Sequence, residues 1–296
     1  MAEIRRGTLV RVLGGFYTAV DPAGQEYTLR CKKKFRRMGL HPLPGDEIMF
    51  SPGVGEEHGW VEEVLPRKTV SLRPPVANVE RMVLVESPVP EPDLLLADRQ
   101  LARAMSQGMS AMIAVNKSDL DGGALAEELR AEYRPAGIPV IAVSAATGLG
   151  LQELRGQMEG ALCCLSGQSG VGKSSLLNRM LGLALETGDI SERIARGKNT
   201  TRHVELLRSG GLRVMDTAGF SLLEPERDLM PERLRERWPE FLPYEGKCRF
   251  NECLHDREPG CAVAEAAETG MIHPARLERY RTLLSETREN WKERYS

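Results

Sequence analysis

The chain has 296 residues, which is enough for two ordinary domains or three small ones. A hydrophobic fraction of 41%, a charged fraction of 28% and a formal net charge of -2 are typical of a globular protein and exclude a disordered chain or a uniformly basic nucleic-acid coat. Since no apolar run approaches the roughly 18 residues of a membrane span, and the first residues do not form a signal peptide, we expect a cytoplasmic protein with no membrane partner.

Residues 1–70 carry the pattern of a small all-β domain. Five short apolar and β-branched runs alternate with turn residues: Thr8 to Leu13, Phe16 to Val20, Tyr27 to Cys31, Glu47 to Phe50 and Trp60 to Leu65. This pattern predicts a barrel of the oligonucleotide-binding (OB) type, although an SH3-like barrel leaves nearly the same sequence pattern.

A basic segment interrupts the β pattern, with six Lys and Arg residues and no acid between Arg30 and Arg37. It is expected to be a loop. Such a loop can simply be solvated, but like charges this dense repel one another unless a polyanion neutralises them, which favours contact with RNA phosphates.

From residue 71 to residue 225 the pattern changes to strands alternating with amphipathic helices, which implies a parallel sheet covered by helices. A helix is expected from Leu125 to Tyr133. The apolar strand candidates are Val79 to Val85, Ala111 to Val115, Pro139 to Val143, Ala161 to Leu165 and Leu212 to Met215.

A phosphate-loop motif, GQSGVGKS at residues 167–174, stands between one of these strands and a helical run. In such loops backbone N–H groups surround the β-phosphate, the lysine reaches the β and γ oxygens, and the serine holds Mg²⁺. A glycine-rich turn without a ligand is the alternative. Lys173 and Ser174 are predicted to be catalytic, and phosphate contacts are expected from Gly167, Gln168, Ser169, Gly170, Val171, Gly172, Lys173, Ser174 and Ser175.

The residues predicted to read the base follow the strand that ends at Val115, at the carboxyl end where open α/β sheets bind ligands. The Asp119 carboxylate can accept hydrogen bonds from guanine N1–H and the 2-amino group, and a buried carboxylate would stay partly unpaired with adenine. Taken alone, the motif also fits a helix N-cap. The four residues are Asn116, Lys117, Ser118 and Asp119.

Two neighbours of Asp119 and the next strand end complete the expected base site. We expect Lys117 to pack along the base and Asn116 to brace the neighbouring loops. Ser144 and Ala145 are expected to offer a backbone N–H to guanine O6.

The nucleotide-sensing residues are expected downstream of the phosphate loop. Asp216 ends a short strand and is predicted to hold the water shell of Mg²⁺, whereas the backbone N–H of Gly219 is predicted to face the γ-phosphate. Thr200 and Thr201 are predicted to close over the metal, although their loop also fits an ordinary surface loop. Phe220 stands where many small GTPases carry the glutamine that orients water, so the isolated protein is expected to hydrolyse GTP slowly.

A cluster of three cysteines and one histidine lies within 14 residues near the C-terminus. Because thiols stay reduced in the cytoplasm, a tetrahedral structural zinc site is favoured over a disulfide framework, with a redox thiol cluster as the alternative. The predicted ligands are Cys248, Cys253, His255 and Cys261. Cys163 and Cys164 are expected in the core, and Cys31 is not assigned. A final amphipathic helix is expected to bury Leu277, Tyr280, Leu284, Trp291 and Tyr295 along one face.

These motifs occur in an unusual order, because NKSD precedes the phosphate loop instead of following it. In this order, with the N-terminal β domain and the cysteine cluster, the chain resembles the ribosome small subunit-dependent GTPase A family of circularly permuted GTPases over essentially its whole length. The segment RPPVANV at residues 73–79 and Asp98-Arg99 also resemble that family. Asn199 replaces a usual histidine and Ala218 replaces the proline of DTPG.

The resemblance implies a multi-domain protein with an OB-fold RNA-binding barrel at 1–70, a circularly permuted α/β P-loop GTPase domain at 71–225 and a mostly helical zinc-binding domain at 226–296. It implies GTP, GDP, Mg²⁺ and one structural Zn²⁺ as ligands, the 30S ribosomal subunit and 16S rRNA as partners, and a monomer. The implied role is late 30S maturation with GTP hydrolysis stimulated by the subunit. Two alternatives remain: an RNA-binding protein that uses guanine nucleotide as a structural or switch ligand with little turnover, and an ATP-dependent P-loop enzyme.

Overall fold

The computed structural model describes residues 3–53, 57–72, 74–182, 204–217 and 229–294. Some predicted site residues lie outside these ranges: Thr200, Thr201 and Gly219, and with them Asn199, Ala218 and Phe220.

The N-terminal strands close into a five-stranded barrel in the order β1-β2-β3-β5-β4-β1. Pairing is antiparallel except between β3 and β5. Every second side chain points inward, and the interior is filled by Leu9, Ala19, Leu29, Ile48, Phe50 and Val61. The predicted OB-type barrel is confirmed. The strands are β1 (Arg5–Leu13), β2 (Phe16–Val20), β3 (Glu26–Cys31), β4 (Glu47–Ser51) and β5 (Gly59–Val64).

The basic segment is not a simple loop, because its second half forms the short helix α1 (Lys33–Arg37). Phe35 drives this difference: its side chain is 4% exposed and packs into the barrel core, which requires the chain to coil over the barrel end. Lys32 forms an ion pair with Glu62. Part of the positive charge is therefore neutralised within the chain, and contact with RNA phosphates remains a prediction.

The central sheet runs in the order β10-β9-β8-β11-β13-β12, and all neighbours are parallel except β12 and β13. Cys163 and Cys164 are fully buried in it, as expected. The strands are β8 (Arg81–Glu86), β9 (Ser110–Val115), β10 (Val140–Ala142), β11 (Leu162–Ser166), β12 (Val204–Ser209) and β13 (Leu212–Thr217). The helices are α2 (Leu94–Ser106), α3 (Ala124–Tyr133), α4 (Leu151–Met158) and α5 (Lys173–Leu181).

The barrel and the central sheet are joined edge to edge. Strand β1 pairs with β12, with Arg11 opposite Glu205, and the two side chains approach to 3.7 Å. Barrel residues Val10 and Val20 share a hydrophobic cluster with β12 and β13. A small hairpin, β6 (Val70–Leu72) and β7 (Pro75–Ala77), lies in the chain between the two parts.

The C-terminal part is built on α6 (Ala262–Glu268) and the long α7 (Pro274–Glu293), with 3-10 turns at Pro231–Arg233, Arg235–Arg237 and Pro239–Tyr244. Its core stacks Trp238, Phe241 and Tyr280. The predicted face of α7 is confirmed at Leu277, Tyr280 and Leu284, whereas Trp291 is half-buried and Tyr295 lies outside the described residues. Among the described helices, none has both the length and the apolar character needed to span a membrane.

Candidate active site and metal centre

The phosphate loop has the strand, loop and helix that the motif requires. Strand β11 ends at Ser166 and α5 begins at Lys173, so the loop between them is six residues long. A Cβ on Gly167 would lie 2.1 Å from the carbonyl oxygen of Val85, and one on Gly172 would lie 2.4 Å from Asn116 Nδ2. Both glycines also have positive φ, at 130° and 92°. Only glycine fits these two positions without displacing the backbone or the neighbouring loop.

Lys173 lies folded back over the loop. Its Nζ donates hydrogen bonds to the carbonyl oxygens of Gly167, at 2.8 Å, and of Gln168, at 2.7 Å. Ser174 and Ser175 follow in the first turn of α5 and are half-buried. The positive end of the helix and the lysine ammonium therefore lie at the same place, which suits a phosphate group.

Asn116 joins three loops, as predicted. Its Nδ2 donates to the carbonyl oxygen of Val171 in the phosphate loop at 2.9 Å, and its Oδ1 accepts from the backbone N–H of Ala145 at 3.0 Å. The Ala145 N–H thus contacts Asn116 here, and a hydrogen bond from Ser144-Ala145 to guanine O6 remains a prediction. Ser144 is buried and its hydroxyl accepts from the N–H of Thr147, which shapes the same loop.

Of the other three residues of the motif, two are hydrogen-bonded to nearby backbone and one is exposed. Lys117 has a positive φ of 60°, and its Nζ donates to the carbonyl oxygen of Gly170 at 2.7 Å. Ser118 is buried and donates to the carbonyl oxygen of Val115 at 2.7 Å, so its hydroxyl points back to the strand. Asp119 is exposed. The exposed carboxylate is open to a ligand, and its contact with guanine remains a prediction.

Asp216 lies at the carboxyl end of β13, one strand from the phosphate loop. The register places its neighbour Met215 opposite Cys164 of β11. The ends of β9, β10, β11 and β13 thus bring NKSD, Ser144-Ala145, the phosphate loop and Asp216 to one edge of the sheet. Thr200, Thr201 and Gly219 lie outside the described residues.

A segment that sequence reasoning missed, residues 87–93, lies along the phosphate loop. The Gln168 side chain donates to the carbonyl oxygen of Glu91 at 3.0 Å and accepts from the N–H of Asp93 at 2.9 Å. Lys117 Nζ donates to the carbonyl oxygen of Val89 at 2.6 Å. These contacts give Gln168 a bracing function that the phosphate-loop pattern, in which its position is variable, does not reveal.

Glu86 is a buried carboxyl group beside the phosphate loop that no sequence pattern singled out. It ends β8, is 2% exposed, and its Oε2 has no hydrogen-bond partner among the described residues. Burial raises its pKa to about 8; Asp93 and Asp98 add to the rise and Lys173 opposes it. Glu86 is therefore largely protonated at neutral pH, which spares the core an unpaired charge.

Replacing Glu86 by glutamine should remove a pH dependence of stability. The folded pKa of about 8 lies above the ordinary 4.5, so the folded state keeps a proton that the unfolded state loses. The wild type should consequently lose roughly 3 kcal/mol relative to Glu86→Gln between pH 5 and pH 8. Urea unfolding at pH 5, 6.5 and 8 measures the difference. Glu63→Gln, at an exposed position, should show the same dependence of unfolding free energy on pH as the wild type. If Glu86→Gln also shows the wild-type dependence, the raised pKa of Glu86 is contradicted.

The four predicted metal ligands converge at one point. Their ligand atoms all lie within 4.8 Å of one another. Nδ1 of His255 lies 3.6 Å from Cys248 Sγ and 3.4 Å from Cys261 Sγ. Tetrahedral zinc bonds of about 2.3 Å to sulfur and 2.0–2.1 Å to nitrogen place such atoms about 3.6 Å apart. The donor set and its spacing therefore fit zinc.

The protonation chemistry of the cluster also suits a metal. Burial lowers the pKa of His255 to about 4, helped by the nearby Arg235 guanidinium, so the imidazole is neutral as a ligand must be. Burial raises the pKa of the Cys253 and Cys261 thiols. Bringing thiolates into this pocket without a compensating cation is unfavourable, and a divalent metal supplies that charge.

Helix α7 and one turn before it hold the backbone around the ligands. Tyr280 donates to the carbonyl oxygen of Leu254 at 2.7 Å, and Arg235 donates to that of Cys253 at 2.6 Å. His255 itself has a positive φ of 60°. The ligand loop is thus fixed to the domain core at the two residues that precede the histidine.

A buried ion cluster joins the central domain to the C-terminal domain. Asp98 on α2 is fully buried, receives a hydrogen bond from Tyr133 at 2.7 Å, and pairs with Arg276 and Arg279 on α7. Arg276 also donates to Glu240 at 2.7 Å. Sequence analysis noted Asp98-Arg99 for its family resemblance. It did not predict the ion pairs of the aspartate, because the two arginines lie about 180 residues away.

Comparison with known proteins gives a consistent result over the whole chain. The family model described as RsgA GTPase matches residues 64–226, more than half of the chain. A protein of Ruminiclostridium cellulolyticum named "Small ribosomal subunit biogenesis GTPase RsgA" is 42% identical over 281 residues, covering 93% of this chain and 91% of its own. One of the same name from Geobacillus thermodenitrificans is 43% identical over 301 residues, covering all of both chains.

Two solved structures are similar over nearly the full length. The crystal structure of YjeQ from Thermotoga maritima has a TM-score of 0.82 and 33% identity, covering 96% of this chain and 99% of its own. That of YloQ, titled a circularly permuted GTPase, has a TM-score of 0.79 and 28% identity, covering 97% of this chain and 96% of its own.

Proposed function

This chain belongs to the RsgA GTPase family, and from that membership we propose that it binds the small (30S) ribosomal subunit, assists its late maturation, and hydrolyses GTP faster when bound to it. As a family member, the chain is a GTP hydrolase that acts in ribosome biogenesis. The finer statements on the 30S particle, stimulation, 16S rRNA, a monomeric state and the cytoplasm are proposals.

One observation supports a guanine nucleotide in particular. The NKSD segment is hydrogen-bonded to the phosphate loop at two points, from Asn116 to Val171 and from Lys117 to Gly170. A single nucleotide can therefore have its base at Asp119 and its phosphates at Lys173. An ATP enzyme with an accidental NKSD would not need these two contacts.

In the proposed mechanism the chain's own groups position and neutralise the phosphates. Lys173 would exchange the carbonyl oxygens of Gly167 and Gln168 for β and γ oxygens, and the N–H groups of the loop would surround the β-phosphate. Ser174 and Asp216 would hold Mg²⁺, which neutralises charge that develops on the phosphate oxygens. Both residues lie at the sheet edge that the phosphate loop occupies.

The remaining nucleotide contacts are proposals that lie outside the described residues. Thr200 and Thr201 would close over the metal, and the N–H of Gly219 would face the γ-phosphate. Phe220 cannot align a water molecule, so we assign the slow step to water positioning, which the ribosomal particle would correct.

We also propose zinc at Cys248, Cys253, His255 and Cys261. The site has four protein ligands, as closed structural sites do, and so has no position for a substrate. Its function would be to fold the C-terminal domain. The barrel, with its basic α1 segment, is proposed to contact 16S rRNA.

Co-sedimentation with ribosomal particles tests the proposed partner. The protein, loaded with a GTP analogue that resists hydrolysis, should pellet with purified 30S particles and remain in the supernatant with 50S particles. Pelleting with 50S particles alone, or equally with both, would contradict the assignment.

Asp119→Asn should change which base is bound. The asparagine can still accept from N1–H but cannot accept from the 2-amino group, whereas its own amide can donate to the 2-oxo group of xanthine. Losing a hydrogen bond to a charged group costs about 1.5–3 kcal/mol, so GDP should bind about 10- to 150-fold more weakly and XDP more tightly. Competition with labelled GDP measures both. Glu128→Gln, on the exposed side of α3, makes the same charge change and should leave both affinities unaltered.

A further inference from the structure

Three side chains form a row across the outer face of the barrel. Phe16 on β2 is paired with Arg30 on β3, and Arg30 is paired with Trp60 on β5. Side chains paired across neighbouring strands project from the same face of a sheet. The adjoining residues Leu29 and Val61 are fully buried inside the barrel, so the row faces outward.

The row is aromatic and open to solvent. Phe16 is 36% exposed and Trp60 is 43% exposed, and Arg30 between them is exposed as well. The Arg30 guanidinium lies 4.5 Å from the centre of the Phe16 ring, and the His58 ring contacts Phe16 edge-on at 4.9 Å. Phe16 and Arg30 are thus held in place before any partner binds, which lowers the entropic cost of binding.

Positive charge continues from this row along the same strand. Strand β3 leads from Arg30 directly into α1, where Lys33 and Lys34 are exposed. On strand β5, the acidic residue nearest to Trp60 is Glu62, and it is already paired with Lys32. The surface therefore combines flat rings with nearby cations, a combination that suits bases and phosphates together.

We propose that the row Phe16, Arg30 and Trp60, called here the stacking row, binds unpaired bases of single-stranded RNA. The proposal deepens the proposed function, on which it rests, by naming the face of the barrel and the form of RNA that it takes. Strands lie about 4.8 Å apart, so the backbone positions of Phe16 and Trp60 are about 9.6 Å apart, with that of Arg30 between them. Three successive flat groups at this spacing suit bases splayed out of a helix.

A duplex and an acidic peptide fit the row less well. A duplex keeps its bases stacked on one another and offers phosphates to the lysines only. An acidic peptide would likewise use the cations and leave both rings uncovered. The rings are the part of this surface that single-stranded RNA alone would use fully.

Binding of a labelled 12-nucleotide oligouridine to the full-length protein, followed by fluorescence anisotropy of the RNA, tests the proposal. Trp60→Ala and Phe16→Ala should each weaken binding by about 5- to 150-fold. Trp60→Phe and Phe16→Tyr keep a ring and should bind within about 3-fold of the wild type. The slope of affinity against salt concentration should not change in these variants, because the lysines remain.

A matched control lies on another domain. Trp291 on α7 is half-buried and has the Arg294 guanidinium at 4.2 Å from its ring, so Trp291→Ala removes an aromatic ring outside the stacking row and should not weaken binding. The affinities for a 12-base-pair RNA duplex and for oligoglutamate should be the same in Trp60→Ala as in the wild type. Equal affinity of Trp60→Ala, Phe16→Ala and wild type for oligouridine, or an equal loss for the duplex, would overturn the proposal.

Two further measurements show whether a loss of RNA binding comes from misfolding, and whether the stacking row and the ribosomal partner fail independently. GDP affinity should be unchanged in all ring variants, since the nucleotide site does not include the row. If Trp60→Ala binds oligouridine normally while the protein still pellets with 30S particles, the stacking row is refuted and the ribosomal partner stands. If oligouridine binding depends on the row but no pelleting occurs, the ribosomal partner is refuted and the row stands.

Discussion

Cys261→Ser is expected to unfold the ligand loop, residues 248–261, and to lower zinc content from one ion per chain to none. The loop contributes few side chains to the core apart from the ligands themselves, so the metal supplies much of its folding free energy, about 10–16 kcal/mol in isolated zinc-binding peptides. Limited proteolysis should then cut within the loop, and metal analysis should find no zinc. A chelator should reproduce both results in the wild type.

Cys31→Ser is the matched control, because Cys31 is half-buried in the barrel and lies outside the cluster. It should keep one zinc per chain and the wild-type proteolysis pattern. Full zinc content in Cys261→Ser, or a wild type that contains no zinc after purification without chelators, would contradict the proposed site.

Asp98→Ala is expected to lower the free energy of unfolding by about 3–5 kcal/mol, the cost of leaving a buried charge without its partner. Arg276 is 3% exposed in its side chain and Arg279 is 15% exposed, so neither guanidinium can recover its lost contact from water without movement of α7. Burial opposes the charge on Arg276, but Asp98 and Glu240 raise its pKa above its ordinary value. Urea unfolding at neutral pH measures the loss.

The control for this prediction is an exposed ion pair between the same two helices. Glu286 on α7 pairs with Arg99 on α2 at 2.5 Å, but both side chains are more than a third exposed. Water screens such a pair, and Glu286→Ala should therefore cost less than about 1 kcal/mol. Equal losses for Asp98→Ala and Glu286→Ala would show that burial of the Asp98 cluster does not determine its contribution.

Local sequence patterns were sufficient for the elements that depend on neighbouring residues. The barrel strands follow from period-two alternation between turns, and the phosphate loop follows from its glycines and lysine. Asn116 was correctly expected to brace the loops. The helix α1 was missed because it depends on burial of Phe35 in a barrel whose closure is a long-range event.

Contacts between distant parts of the chain could not be predicted in this way. Asp98 looks like any helix-surface aspartate until α7 places two arginines beside it. Glu86 ends an apolar strand, and its burial becomes evident only when the neighbouring strands and α2 cover it. The hydrogen bond from the Ala145 N–H to Asn116 could not be predicted either, because it depends on the distance between two loops 29 residues apart.

GTP turnover measured against increasing concentrations of purified 30S particles, and separately of 50S particles, tests the central claim most directly. The protein alone should turn over GTP slowly, since Phe220 stands where a water-orienting glutamine is common. The rate should rise to a plateau with 30S particles and stay at its basal value with 50S particles. A rate that is unchanged by 30S particles, or raised only by 50S particles, would contradict the account.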